Sequence, residues 1–378
     1  MLRTLLPDRG GGTIPFSRLQ WYHLGSWASG PADDPGHEEI GMHRMNKLIV
    51  LLLAICLPPI VPVYGSEADG VIKLTFLGTG APRPSQDRYG PSILVEAGAY
   101  KMLVDAGPGM RERLFQAGGF ELLTEVDHIL ITHLHFDHTI SAPGLWLSGW
   151  LYGRKKPMRV FGPTGTTAMM EKFESAYDWD IRYRKIVGVH DQGSDLIAKD
   201  IGAGVFVNEN GLKITAFEVE HMPIDVETGE LLDLEGATLG FRIDYAGRSV
   251  LFSGDTRSTP SSDIIPNGRG VDVLIHEVQV PAPGTSAEAV LANVSLSVHS
   301  TPAQVAVVFE NTQPRLGVYS HIIPPEIDSA TLLGMTDYAG DMIVAEDLMT
   351  LTIGEEIAIG RADGEGTDIF TESEVVDE

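Results

Sequence analysis

Residues 129–140 read ILITHLHFDHTI. A short apolar run ends in a threonine, and within the next six positions fall three histidines and an aspartate: His133, His135, Asp137 and His138. Side chains two apart on an extended segment point the same way, so His133 and His135 share a side. Asp137 and His138 follow where the chain bends away. A lone histidine is more often structural than chemical. Three beside a carboxylate gain nothing evident from being clustered unless a cation lies between them. The stretch therefore reads as metal-binding, with one pair of side chains for one ion and the other pair for a neighbouring ion.

Working outward, the chain from Val71 onward alternates apolar runs with glycine- and proline-rich turns and a few helical stretches. VIKLTFLG (71–78) is expected to be a strand, followed by the loop GTGAPRPSQDRYG. SILVEAG and YKMLVDAG form a hairpin about Gly98. GMRERLFQAGG is expected to be a short helix stopping on glycine. MRVFGP is a strand and GTTAMMEKFESAY a helix. LKITAFEVEH is a strand, and TLGFRIDYAGRSVLFSGD a hairpin turning at Ala246–Gly247. VDVLIHE is a buried strand, TPAQVAVVFENT a helix with Pro302 in its first turn, and PRLGVYSH another strand. This mixture implies a layered α/β domain. Four strands are expected to stop at a chemically active residue: His133, His221, Asp255 and His321. Side chains at strand ends project from a rigid sheet into the loops of one edge, so these segments can meet at one rim.

The 378 residues suffice for one large domain, and a hydrophobic share of 43% allows a sizeable core. A formal net charge of -25 argues against a general affinity for nucleic acid, whose phosphates attract basic surfaces. The dense basic cluster Arg154, Lys155, Lys156 and Arg159 reads as a solvated loop.

Residues 1–41 are rich in Gly, Pro and Asp and show no period; they read as a disordered upstream extension. Residues 42–65 carry His43, Arg44 and Lys47, then the unbroken apolar run Leu48–Leu57, with small residues Gly65, Ser66 and Ala68 beyond. That is the pattern of a secretory signal peptide and too short for a comfortable membrane span. The expected location is periplasmic or secreted, with no stable membrane anchor. The single cysteine, Cys56, lies in this run, so the mature part has no thiolate ligand and any transition metal must be held by His and carboxylates. The domain is expected over 66–360, with 361–378 as an acidic disordered tail.

The His-x-His-x-Asp-His pattern resembles the signature of the metallo-β-lactamase superfamily. LTFLGTGAPRP and LVDAGPGM resemble that family's opening loop and second motif, and His221, Asp255 in FSGDTR, and His321 match its remaining ligand motifs in order. The resemblance implies a four-layer αβ/βα sandwich and two Zn2+ ions, with Mn2+ or Fe as alternatives. It implies His133, His135 and His221 around the first ion, Asp137, His138 and His321 around the second, and Asp255 bridging. It also implies Asp137 as the base acting on a water, and Asp105 as a buried loop-fixing carboxylate.

Within the superfamily, FGPTG, LIHEV, HSTPAQVA and PRLGVYSH resemble the RNase Z-like branch and its secreted arylsulfatase- and lactamase-like relatives. The branch implies His299 as general acid or as a grip on a phosphate or sulfate oxygen, the alternative being part of a helix-capping loop with Ser300 or Thr301 as the cap. His276 and Glu277 either orient a ligand or His299, or are structural. Trp146 and Trp150, four apart on a helix, are core residues by default or wall a substrate pocket over the metals. His128 and His190 match no motif. His221 and Asp255 lie 34 positions apart, too few for the tRNA-gripping arm of the long-armed RNase Z type.

The expectation is an exported dinuclear-zinc hydrolase of phosphodiester or sulfate ester bonds, with a small-molecule ester as substrate and nucleic acid as an unlikely one. The branch suggests a homodimer. Lactam amide hydrolysis and non-catalytic metal binding are the alternatives.

Overall fold

The computed structural model describes residues 70–222, 238–286, 289 and 293–361, and the backbone of 367–370. The expected extension, the signal segment with Cys56, and residues 371–378 lie outside the described residues. Among the described residues no helix is long and apolar enough to cross a membrane.

Two sheets face each other. The first is built from β1 (Ile72–Gly78), β2 (Ser92–Ala97), β3 (Tyr100–Val104), β4 (His128–Leu130), β5 (Met158–Gly162), β6 (Leu196–Asp200), β14 (Thr350–Ile353), β15 (Ile357–Gly360) and β16 (Thr367–Phe370). Its order is β16-β15-β14-β1-β2-β3-β4-β5-β6. The second holds β7 (Gly204–Glu209), β8 (Leu212–Val219), β9 (Thr238–Tyr245), β10 (Arg248–Phe252), β11 (Val273–Gln279), β12 (Leu316–Ile323) and β13 (Met342–Val344), in the order β13-β12-β11-β10-β9-β8-β7. In both sheets the later strands run parallel, β3 to β6 and β10 to β13.

The alternation of side chains along each strand divides three cores. Inner faces of both sheets meet in one, with Leu74, Phe76, Val95, Leu130, Phe241 and Ile243 fully or almost fully buried. The outer face of the first sheet packs on α1 (Met110–Glu125), α3 (Ala142–Tyr152) and α4 (Thr166–Ala176). The outer face of the second packs on α6 (Ile264–Gly268), α8 (Pro302–Thr312) and α9 (Ser329–Gly334). Other helices are α2 (Phe136–Thr139), α5 (Asp178–Ile186) and α7 (Val294–Val298). Helices outside and sheets inside give the four-layer αβ/βα sandwich expected from the motifs.

Several local expectations change. The helix from Met110 does break at Gly118 and Gly119, whose dihedrals are non-helical, but it resumes and runs on to Glu125. Thr367–Phe370 lies in the stretch expected to be a tail, yet it pairs antiparallel with β15. An edge strand of this kind is held by backbone hydrogen bonds, which composition does not reveal. Arg154 is not solvated: it is 1% exposed. Its guanidinium donates to the carbonyls of Leu145, Trp146, Lys156 and Gly193, tying the middle of α3 to the loop before β6.

Candidate metal centre

The C-terminal ends of parallel strands from both sheets open on one rim, as is usual for α/β sites. Beyond β4 the chain passes Thr132 and delivers His133 and His135, then α2 delivers Asp137 and His138. β8 leads to His221, and β10 leads through Gly254 to Asp255. Gly254 has φ 61°, and a Cβ there would lie 2.6 Å from the Leu239 carbonyl oxygen, so the sharp turn onto Asp255 needs glycine.

His321 reaches the rim by a different device from the one expected. The strand does not stop there but continues to Ile323. His276 pairs with Tyr319 and Val278 with Ile322, so Ser320 and His321 together face the single residue Glu277. That is a β-bulge, and His321 sits in it with φ 47°. In a regular strand His321 would follow Tyr319 onto the helix-covered face; the extra residue swings it to the rim.

The ligand atoms converge. His133 Nε2 lies 2.9 Å from His135 Nδ1, which lies 3.3 Å from His221 Nε2. Asp137 Oδ2 lies 3.5 Å from His138 Nε2 and 3.6 Å from His321 Nε2. Asp255 Oδ2 stands between the two sets, 3.8 Å from His133 Nε2, 3.8 Å from His221 Nε2, 3.4 Å from His138 Nε2 and 3.2 Å from His321 Nε2. Both triads, His133–His135–His221 and Asp137–His138–His321, are close enough to hold an ion each. Asp137 Oδ2, His138 Nε2 and His321 Nε2 are buried and have no hydrogen-bond partner. Buried polar atoms left bare are costly, and these all aim into the space a cation would fill.

At His133 and His221 the electrostatics agree with that donor set. Burial pushes His133 well below the usual imidazole range and His221 down to about 4, so both rest as neutral bases with a lone pair to give. Burial opposes charge on His138 too, but Asp255 and Asp105 outweigh it and hold this ring well above the usual range. Burial would raise Asp255, yet His321 and His138 prevail and keep it well below the carboxylate range.

Supporting side chains fix the rings. Asp105 Oδ2 is 2.8 Å from His138 Nδ1, and the same carboxylate accepts from the Thr132 amide and hydroxyl. His221 Nδ1 is 2.9 Å from the Val298 carbonyl oxygen. Glu277 Oε1 accepts from the amides of Thr256 and Ser300 and lies 3.2 Å from His299 Nδ1, near enough for an ion pair. Burial would lower His299, but Glu277 and then Asp255 outweigh it and raise it to about 9.

In two places the structural alternative is the one found. His276 makes no contact with the ligands: it is buried, with Nε2 2.8 Å from the Ser258 hydroxyl and Nδ1 2.7 Å from the Glu277 carbonyl oxygen. It braces the loop after Asp255. Trp146 and Trp150 do not wall a pocket over the rim; both are 0% exposed, and their indole N–H groups donate to the carbonyls of Ser194 and His190. Of the two proposed caps, Thr301 is the N-cap of α8, with a reciprocal capping box to Gln304, whereas Ser300 donates to the Thr256 carbonyl. Thr132 was not singled out by sequence. It carries no charge and belongs to no cluster, and only the fold shows that it locks Asp105.

Comparison with known proteins follows this geometry. Residues 100–322 match the family described as the beta-lactamase superfamily domain. A ribonuclease Z of Mycobacterium marinum is 30% identical over 292 residues, covering 74% of this chain and 97% of the relative. Among solved structures, the metallo-beta-lactamase fold protein YhfI of Bacillus subtilis aligns with TM-score 0.55 at 17% identity, over 75% of this chain and 100% of that one. The short form of human tRNase Z aligns with TM-score 0.53 at 20% identity, over 74% and 98%. The relative's name is that of an enzyme acting on RNA, which removes the ground for treating nucleic acid as an unlikely substrate on net charge alone.

Proposed function

The chain belongs to the metallo-β-lactamase superfamily, in its ribonuclease Z-like branch, and from that premise we propose that it is a two-metal phosphodiesterase. The observation that carries the reading is Asp255 Oδ2 standing within 3.8 Å of nitrogens from both triads, the position of a carboxylate shared by two ions. Zinc suits a donor set of imidazoles and carboxylates, with manganese or iron as alternatives. Held by these residues, two divalent cations would lower the pKa of a water and would neutralise charge on the phosphoryl oxygens.

The chain's own residues do the rest. Asp137 orients the attacking water and takes its proton. Glu277 holds His299 by Nδ1, leaving Nε2 to give a proton to the leaving oxygen. A charge of -25 favours a short or small phosphodiester over a long polyanion, while the relatives' name favours RNA. A sulfate ester is the second substrate of the same chemistry. Export to the periplasm or medium is part of this reading and rests on residues 42–65; a homodimer rests on the branch.

The test is turnover of bis(p-nitrophenyl) phosphate, p-nitrophenyl sulfate, a chromogenic cephalosporin and a precursor tRNA by zinc- or manganese-loaded protein. Phosphodiester cleavage is expected, and His299→Ala should lower it on the order of 100-fold or more while sparing lactam cleavage, which needs no such acid. Cephalosporin cleavage without phosphodiester cleavage would overturn the assignment.

A further inference from the structure

Away from the metal rim, at the N-terminal ends of β3, β4 and β5, the two sheets splay apart and leave a cleft of about 240 Å3. Its floor is the inner face of the first sheet. Met102, His128 and Arg159 are direct cross-strand partners there, and Leu130 and Phe161 form the next row on the same face. Leu130 and Met102 belong to the inter-sheet core, and Phe161 packs against it. Arg159 and His128 therefore occupy positions that the alternation assigns to the interior of the sandwich.

That placement has a cost that nothing among the described residues offsets. Arg159 is only partly exposed, and its guanidinium has neither a hydrogen bond nor an ion pair among the described residues. Asp127 engages His128 through Nδ1 at 2.6 Å, leaving Nε2 without a partner. Glu209 at the mouth is engaged by the Tyr100 hydroxyl at 3.2 Å. The walls are aromatic: Phe161 and Phe206 stand 5.5 Å apart, ring centre to ring centre, and His128 stacks on Phe161 at 10° between planes. Lys199, the partner of Phe161 in the ladder, adds a second cation at the exposed edge. A half-buried guanidinium is matched best by a carboxylate, which takes two parallel hydrogen bonds. Apolar cavities of about 150 Å3 already accept one benzene ring.

We propose that this cleft binds a small flat carboxylate, its ring packed against the Phe161–Phe206 pair and its carboxylate on Arg159. The site is separate from the metal centre and independent of the hydrolase assignment.

Benzoate is the probe, titrated calorimetrically into the metal-loaded protein, with benzamide as its uncharged counterpart. Benzoate is expected to bind saturably and at least tenfold more tightly than benzamide. Arg159→Gln should weaken benzoate at least tenfold, and removing the metals with a chelator should leave benzoate binding unchanged. Absence of saturable binding, equal affinity for benzamide, equal affinity in Arg159→Gln, or loss of binding on chelation would each overturn the proposal. The benzamide comparison needs only the native chain, so it decides the matter even if the variant fails to fold.

Discussion

Asp105 lies behind the ligand triads, yet it fixes the ring of His138 through Nδ1 and is itself locked by Thr132. Carboxylates in this position orient a ligand and raise its basicity, and losing one typically costs about 10–100-fold in metal affinity. Asp105→Asn is expected to bind zinc weaker by that order while keeping its fold, as competition with a chromophoric chelator would show. Asp255→Ala should go further and lower the number of ions retained, which elemental analysis of purified protein would detect. A third outcome concerns protons. Asp255 and Asp105 raise the His138 imidazole well above its usual range against the effect of burial, so an entering cation is expected to displace a proton there. Zinc titrations at neutral pH should therefore release protons, giving a heat that changes with the ionisation enthalpy of the buffer; a buffer-independent heat would contradict this.

The candidate ligands were legible at this scale because imidazoles and carboxylates cluster in short segments whose chemistry has few other uses. Trp146 and Trp150 were not, because a helical spacing of four says only that two rings share a side. Whether that side meets the rim or the sheet is decided by how α3 docks. His276 was ambiguous for the same reason: it neighbours Glu277 in sequence, and strand alternation turns the two side chains in opposite directions.

At the level of elements, the strands and principal helices followed from apolar runs and turn residues, while devices that re-aim a side chain did not. The bulge at Ser320–His321 leaves no mark in composition, since it arises from a mismatch in length between β11 and β12. Arg154 likewise looked like surface because its neighbours Lys155 and Lys156 are exposed. It instead bonds the carbonyls of Leu145, Trp146, Lys156 and Gly193. Arg154→Met strands those carbonyls and should cost about 3 kcal/mol. Thermal denaturation should show a melting temperature lower by roughly 5 °C or more, with the metal content of the folded protein unchanged. Thr301→Ala, which removes the N-cap of α8, should cost about 1 kcal/mol by the same measurement.

For the molecule as a whole, the layered architecture followed from motif order. The two sheets could not be apportioned from sequence, because pairing partners lie far apart in the chain. On the proposed reading the ions join side chains from both sheets: His133, His135, Asp137 and His138 beside the first, His221, Asp255 and His321 from the second. Ligands that bind only the folded form add to its stability. Chelation is expected to lower the melting temperature, and zinc to restore it. An unchanged melting curve would mean that the seven side chains hold nothing.

β1 is flanked on one side by β2 and on the other by β14. During synthesis the first neighbour emerges almost at once, whereas the second leaves the ribosome only after some 270 further residues (Gly78 to Thr350). Until then the growing polypeptide presents one edge of β1 with its amides and carbonyls unpaired, inviting pairing with other nascent chains. The sandwich can close only once β14 has been made, so its yield in a cell should depend on holding factors that occupy that edge in the meantime.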